Sequence, residues 1–261
     1  MSGIFGHTLL FRISALSILT LCFILVSHSG GSSSFRPSAE TSGVSANQEP
    51  TVTAEVQGDS PLVITSLKSE GRVAPDSQFV EFGFYVINVS VKPIRAYAIK
   101  QEIAADGTKM GGGVSLYNPQ LTNSLLRPNQ SAFIADTSNF TSDKKNTISL
   151  SVDFVEFADG TKWGRDSVKS SERAAGQRAG AYNISQRLLE GLNDGKVEDV
   201  IHQMEAANVE LADDHSEEWK SGFRAGRIAI LNRLKHVKAE HGPTEFEREL
   251  RRLGQTFKDQ N

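Results

Sequence analysis

The stretch Asn146-Thr-Ile-Ser-Leu-Ser-Val-Asp-Phe-Val-Glu-Phe-Ala-Asp-Gly-Thr-Lys-Trp-Gly-Arg-Asp166 holds the change of period that decides the fold. Ile148, Leu150, Val152 and Phe154 alternate with Ser149, Ser151 and Asp153. A period of two places the apolar set on one face, as in a half-buried strand of an antiparallel sheet. Asp159-Gly160 then offers a hairpin turn, because the tight two-residue turn needs positive φ at both central residues and Asp and Gly tolerate it. Beyond Asp166 the apolar spacing becomes three and four, which is helical. A strand-built region therefore meets a helical one near residue 166.

Upstream, Val80, Phe82, Phe84 and Val86 alternate with Glu81, Gly83 and Tyr85. Further strands are predicted at Leu62–Leu67, Ile94–Ile103, Thr108–Leu116 and Ser131–Ala135. Pro75-Asp76, Lys92-Pro93, Asp106-Gly107, Asn118-Pro119 and Pro128-Asn129 supply the turns between them. About seven short strands with such punctuation point to an immunoglobulin-like (Ig-like) antiparallel β-sandwich over residues 61–166. Ala-Asp-Gly-Thr-Lys occurs twice, at Ala105–Lys109 and Ala158–Lys162, and each copy is expected to close a β-hairpin. A cation site shared by Asp106 and Asp159 is the functional alternative, but one carboxylate per loop falls short of the six to eight oxygens that calcium takes. Gly111-Gly-Gly113 reads as a bulge or loose loop and not as a phosphate cradle.

The run Val155–Gly164, with Ile64-Thr-Ser-Leu67, Val86-Ile-Asn-Val-Ser90 and Pro93-Ile-Arg-Ala-Tyr97, resembles uncharacterised bacterial exported proteins whose Ig-like β-sandwich ends in a DGT-x-W-G hairpin. The resemblance covers roughly residues 61–166, implies that fold and brings no activity with it. Trp163 has two readings: an exposed stacking platform for a sugar or peptide, or a plug for the end of the sandwich.

Downstream, residues 167–261 read as four helices. Asp166 or Ser167 caps the first, which stops at Asn193-Asp-Gly195; Val197, Val200, Ile201 and Met204 mark the second. The third runs from about Ser216 to Glu240, and the fourth carries Phe246, Leu250, Leu253 and Phe257 on one stripe. Glu172-Arg-Ala-Ala-Gly-Gln-Arg-Ala-Gly180 aligns with Glu218-Trp-Lys-Ser-Gly-Phe-Arg-Ala-Gly226, so the region is a duplicated helical hairpin packed as a compact four-helix module. Gly176 and Gly180, like Gly222 and Gly226, stand four apart on one helix face, where each costs about 1 kcal/mol relative to Ala. Close approach of two helix backbones explains that cost. The partner is the other copy's glycine face, or a second chain in a homodimer, with Arg178 and Arg224 flanking the contact. The chain as a whole is thus α+β, a sandwich followed by an all-α helical-hairpin module.

The N-terminus has a third character. Ile13–Val26 is an apolar run behind Met1–Arg12, which holds Arg12 and no acid. Residues 1–28 fit a removable signal peptide. They fit equally a retained transmembrane anchor, with residues 8–26 in the membrane. Either reading puts the remainder outside the cytoplasm, membrane-anchored or secreted and periplasmic. Residues 29–60, rich in Ser, Gly, Thr and Pro, read as a disordered tether, with weak strand alternation at Thr51–Val56.

In a chain of 261 residues, 28 Lys+Arg against 31 Asp+Glu leave a net charge of −3, which argues against a broadly basic nucleic-acid binder. The single cysteine, Cys22, lies in the apolar run as an ordinary apolar residue, excluding an internal disulfide, a Cys-based zinc site and a CxxC pair. No HExxH, G-x-S-x-G, P-loop or Rossmann fingerprint is present, so no catalytic, cofactor-binding or metal residue is assigned and no cofactor is expected. Asp213-Asp214-His215 reads as solvated linker charge. Asn88, Asn129, Asn139 and Asn183 each open an Asn-x-Ser/Thr sequon.

The expectation is a non-enzymatic extracytoplasmic binding or assembly module with a protein partner. Its candidate interaction residues are Trp163, Arg165, Gly176, Arg178, Gly180, Gly222, Arg224 and Gly226. The competing class is a ligand-binding protein or enzyme with a pocket at the sandwich–helix junction, around Trp163, Arg165 and Asp166. A third view makes the helices a regulator of an inner-membrane complex.

Overall fold

The computed structural model describes residues 51–74, 77–122, 124–140, 145–206 and 214–258. The expected export segment, Cys22 and the expected tether up to residue 50 lie outside them. Among the described residues no helix is long and apolar enough to cross a membrane. The tether expected to reach residue 60 gives way at strand β1 (Thr51–Ala54), which pairs in parallel with β7 (Asn146–Phe157). Gln57 clamps the same strand, its amide donating to Val152 O at 3.1 Å and accepting from Val152 N at 3.0 Å.

Two sheets follow. β2 (Leu62–Ala74), β3 (Ser77–Asn88) and β6 (Ser131–Phe140) form one, in the order β2-β3-β6. The other runs β1-β7-β4-β5, from β4 (Ile94–Ala105) and β5 (Thr108–Tyr117), with β8 (Lys162–Gly164) also on β7. Their shared core takes Leu62, Phe82, Phe84, Val86 and Ile134 from the first and Ile94, Tyr97, Ile99, Ile148, Leu150, Val152 and Val155 from the second. The alternation of β3 thus does what its period requires. β2 and β6 each run several residues beyond their expected ends.

β7 departs from the expected pattern in an instructive way. Ile148, Leu150 and Val152 face the inter-sheet core, but Phe154 packs instead with Ala96, Ala98 and Ala174, and Val155 returns to the core. Opposite, the β4 register jumps from Ala98↔Phe154 to Ile99↔Val152, leaving Asp153 as the extra residue of a bulge. One inserted residue exchanges the faces of everything after it.

Both Ala-Asp-Gly-Thr-Lys copies close hairpins, by different turns. Asp106 and Gly107 take φ 49° and 77°, the mirror-image turn. In the second copy only Gly160 is positive, φ 85°, after a turn closed by Gly160 N donating to Phe157 O at 3.0 Å. Register pairs Ala105 with Asn146 and Ile94 with Phe157, so the two Asp-Gly turns lie at opposite ends of β4 and share no cation site.

Helix α1 (Ser170–Asn193) starts later than expected. Lys169 precedes it at φ 55°, while the Asp166 carboxylate accepts from Ser171 N at 3.1 Å. α2 (Val197–Ala206) leads to α3 (Glu217–His241), capped by Ser216, whose Oγ accepts from Trp219 N at 3.2 Å. α4 is Pro243–Lys258. Its stripe Phe246, Leu250, Leu253 and Phe257 shares one core with Ile184, Leu188, Ile201, Met204, Ile230 and Leu234.

Candidate functional site

Two regions bring chemistry-bearing residues together: the seam between sheet and helices, and the β5 edge. The seam starts from the Asp153 bulge. Its carboxylate accepts from Ser167 N at 2.9 Å and Ser167 Oγ at 2.8 Å, which aims the chain into α1. Three buried alanines, Ala96, Ala98 and Ala174, then let helix and sheet approach over Phe154. Glu156, three residues past the bulge, is 2% exposed and lies between two arginines. Arg178 of α1 reaches it with both terminal nitrogens, at 2.9 and 3.1 Å, and Arg95 of β4 at 2.6 Å. Burial pulls the Arg178 guanidinium down, Glu156 pushes it back up, and Arg95 lowers it again. A bidentate pair this dry holds geometry well and contributes net stability poorly, since desolvation offsets much of the attraction.

The glycines meet within the chain. A Cβ on Gly176 would stand 2.1 Å from Trp219 O, and one on Gly180 2.0 Å from Phe223 O. Reciprocally, a Cβ on Gly222 would stand 2.1 Å from Arg173 O, and one on Gly226 2.0 Å from Gln177 O. The offset that relates the two copies also carries Arg173 to Trp219 and Gln177 to Phe223. α1 and α3 therefore cross with an approximate two-fold relation, each glycine seated on the other's backbone. That corrects the homodimer alternative drawn through this face, because the intrachain crossing consumes all four glycines.

The remaining expected residues scatter. Arg165 and Arg224 are exposed. Trp163 is half-buried against the sandwich core, its Nε1 3.4 Å from Asp59 Oδ2, which favours the plug over the platform. Glu172 and Glu218 do not serve the flanking arginines: Glu172 accepts from the Ser216 hydroxyl and Glu218 lies 3.8 Å from Lys169. His215 stacks on Trp219 at 3.8 Å between ring centroids, and Trp219 on Phe223 at 5.2 Å. No group of three metal-ligating side chains occurs among the described residues. Asn88 is fully buried, its amide donating to Lys92 O and Leu126 O at 2.8 Å each, so a glycan there is incompatible with this fold.

The β5 edge is the second region. β5 ends its sheet, and its backbone groups on one side have no neighbouring strand among the described residues. A groove of about 220 Å³ runs along it, over Gly111-Gly-Gly113 and Val114, with Val168 as a lip. At its charged end Glu102 bridges Lys100 at 2.7 Å and Lys109 at 2.8 Å, and those two lysines hold its carboxyl down at about 2. Gly112 lets β5 lie close on β4: its φ is 153°, and a Cβ there would lie 2.2 Å from Gln101 O.

No protein-family model matches the chain, and no curated protein matches it. Several solved structures are similar over part of it. A structural genomics target solved by X-ray shares 8% identity over 40% of this chain and 79% of its own, at a TM-score of 0.30. The ApaA protein of Bordetella pertussis shares 11% over 40% and 86%, at 0.29. A protein from Archaeoglobus fulgidus shares 12% over 39% and 91%, at 0.28. Likeness this slight assigns neither fold nor activity.

Proposed function

We propose that this chain is a non-enzymatic, extracytoplasmic binding module, tethered to or secreted from the cell envelope, that holds an extended segment of a protein partner along β5. The observation that carries the reading is the bare edge itself. Ten residues of edge strand, paired with β4 on one side only and three of them consecutive glycines, adjoin a groove that an added strand can enter. The sandwich is of the Ig-like type on this reading, a view supported by the orders β2-β3-β6 and β8-β7-β4-β5 and consistent with the resemblance to bacterial exported proteins. The helical module is a fixed attachment, held by Glu156, and presents assembly surface away from the sheet. A junction pocket around Trp163, Arg165 and Asp166 fits less well: the seam between sheet and α1 is filled by Phe154 and three alanines, each at most 1% exposed.

The test uses added side chains. Gly111 and Gly113 have nothing within 4 Å of a built Cβ, so lysine is accommodated at both. Lysines blunt an edge against strand addition. Affinity capture of the exported chain, with intact-mass measurement of its N-terminus, should recover a partner with wild type and lose it with G111K/G113K. Recovery of the wild-type chain alone, as a cleaved monomer, overturns the reading.

A further inference from the structure

We propose that the first helical hairpin binds a small oxyanion, a phosphate or carboxylate group, between Arg187 of α1 and Arg227 of α3. Both guanidiniums converge on Met204 of α2, with Arg227 Nη2 2.6 Å and Arg187 Nη1 3.9 Å from its Sδ. A thioether is a weak acceptor and carries no charge. Arg227 is only 7% exposed, and its Nε is buried without a partner. No carboxylate among the described residues pairs with either arginine; Glu198 on α2 is taken by Lys238. Burial lowers Arg227, and the neighbouring Arg187 lowers it further, yet a guanidinium keeps its proton in proteins. Two cations thus share one site with no described carboxylate to neutralise them, an arrangement that is costly unless an anion completes it.

The second hairpin shows what the first lacks. Arg187 corresponds to Arg233, which pairs with Glu249 at 2.8 Å. Glu249 corresponds to Gln203, and Leu250 to Met204. Arg227 itself stands where the first copy has Ala181. The site on α2 therefore lacks the acid of its counterpart and receives an extra base, Arg227, from α3. Arg187 is exposed and opens the site to solvent, while buried Met204 forms its floor. Two planar guanidinium forks suit a multi-oxygen anion, which accepts several charge-assisted hydrogen bonds at once.

Thermal melts of the full chain in inorganic phosphate and in citrate, against chloride at matched ionic strength, test this. Wild type should gain about 5–10 °C, saturably, once the ion is a hundredfold above its dissociation constant. R187Q should lose the gain without disturbing buried Arg227. Q203E, which restores the acid of the second hairpin, should raise the melting temperature in chloride and abolish the response to added ion. A gain with phosphate alone identifies a phosphate ligand, one with citrate alone a carboxylate ligand, and one with both a site for either. Equal gains in wild type, R187Q and Q203E, or no gain with either ion, overturn the proposal.

Discussion

Replacing Gly180 or Gly226 with alanine tests the helix crossing that organises the C-terminal half. In an exposed helix interior the change gains about 1 kcal/mol from propensity. Here the new methyl would meet Phe223 O or Gln177 O at 2.0 Å, where ordinary contact begins at 3.4 Å. About 1.4 Å must be made up, and the obstacle is backbone, which has no rotamer to escape into. Overpacking costs about 1–3 kcal/mol, and a rigid obstacle sits at the upper end. Each variant should therefore lose about 1–2 kcal/mol net. Gly254 is the control: its methyl would meet only the tip of Leu189, Cδ1 at 2.4 Å, which can swing away, so G254A should lose no more than about 0.5 kcal/mol. Because α1 and α3 separate as bodies, room made for one methyl serves the other. The double variant G180A/G226A should therefore cost less than the sum of the singles. Urea unfolding followed by the helical circular dichroism signal measures all four. If both single variants stabilise the chain by about 1 kcal/mol, the close crossing is wrong.

Three further outcomes follow from the same contacts. E156Q leaves Arg95 and Arg178, with side chains 19% and 11% exposed, without a counter-charge, so it should cost about 3–5 kcal/mol. A scanning-calorimetry shift under about 2 °C, against an expected fall of about 6–20 °C, would refute the role given to this seam. N88A deletes an amide that donates at 2.8 Å to Lys92 O and Leu126 O and accepts from Ser90 N at 3.0 Å, and it should cost about 2–4 kcal/mol in urea titration. Glu249 is held below the usual carboxylate range, first by the Arg252 hydrogen bond and also by Arg233. A lowered folded-state value means its stabilisation is present above the ordinary carboxylate value and lost as pH falls through the lowered one. Wild type should therefore melt above E249Q at pH 7, with the gap closing in acid; a gap constant with pH contradicts the pairing.

The legible parts of the fold were those with short-range causes. The period of two in β3, the Asp-Gly turns, the Ser216 cap and the α4 stripe each depend on residues within one or two turns of one another. The facing of Gly176 and Gly180 on Gly222 and Gly226 was also legible, because a repeat carries long-range information inside a local pattern. Three features were not. The Asp153 bulge leaves no mark in the alternation, since Phe154 and Val155 are both apolar and either fits the core. β1 joins β7 in parallel across more than ninety residues, which no local signal encodes. The ion triad was missed for the same reason: Arg95, Glu156 and Arg178 come from three elements, and each reads singly as a surface charge. The one available clue was Glu156 at the end of a buried strand, where an unpaired carboxylate is too costly to stand alone.

The two copies of Gly-x-Arg-Ala-Gly separate what a residue is from what surrounds it. Arg178 and Arg224 are the same side chain at the same point of the same crossing, yet one is half-buried against Glu156 and the other is exposed. The cause is the single sandwich: a two-fold pair of hairpins offers two equivalent faces, and one sheet covers one of them. Once that symmetry is broken at Arg178, the other paired positions face different environments and can diverge. Ala181 against Arg227, and Gln203 against Glu249, are such divergences: the first copy is neutral at both positions, and the second carries a base at one and an acid at the other. The repeated glycines therefore carry the packing in both hairpins, while chemical difference lies at the positions the crossing leaves unconstrained. The glycines are where this module resists change, and Arg187 and Arg227 are where the proposed anion would test what the divergence has changed.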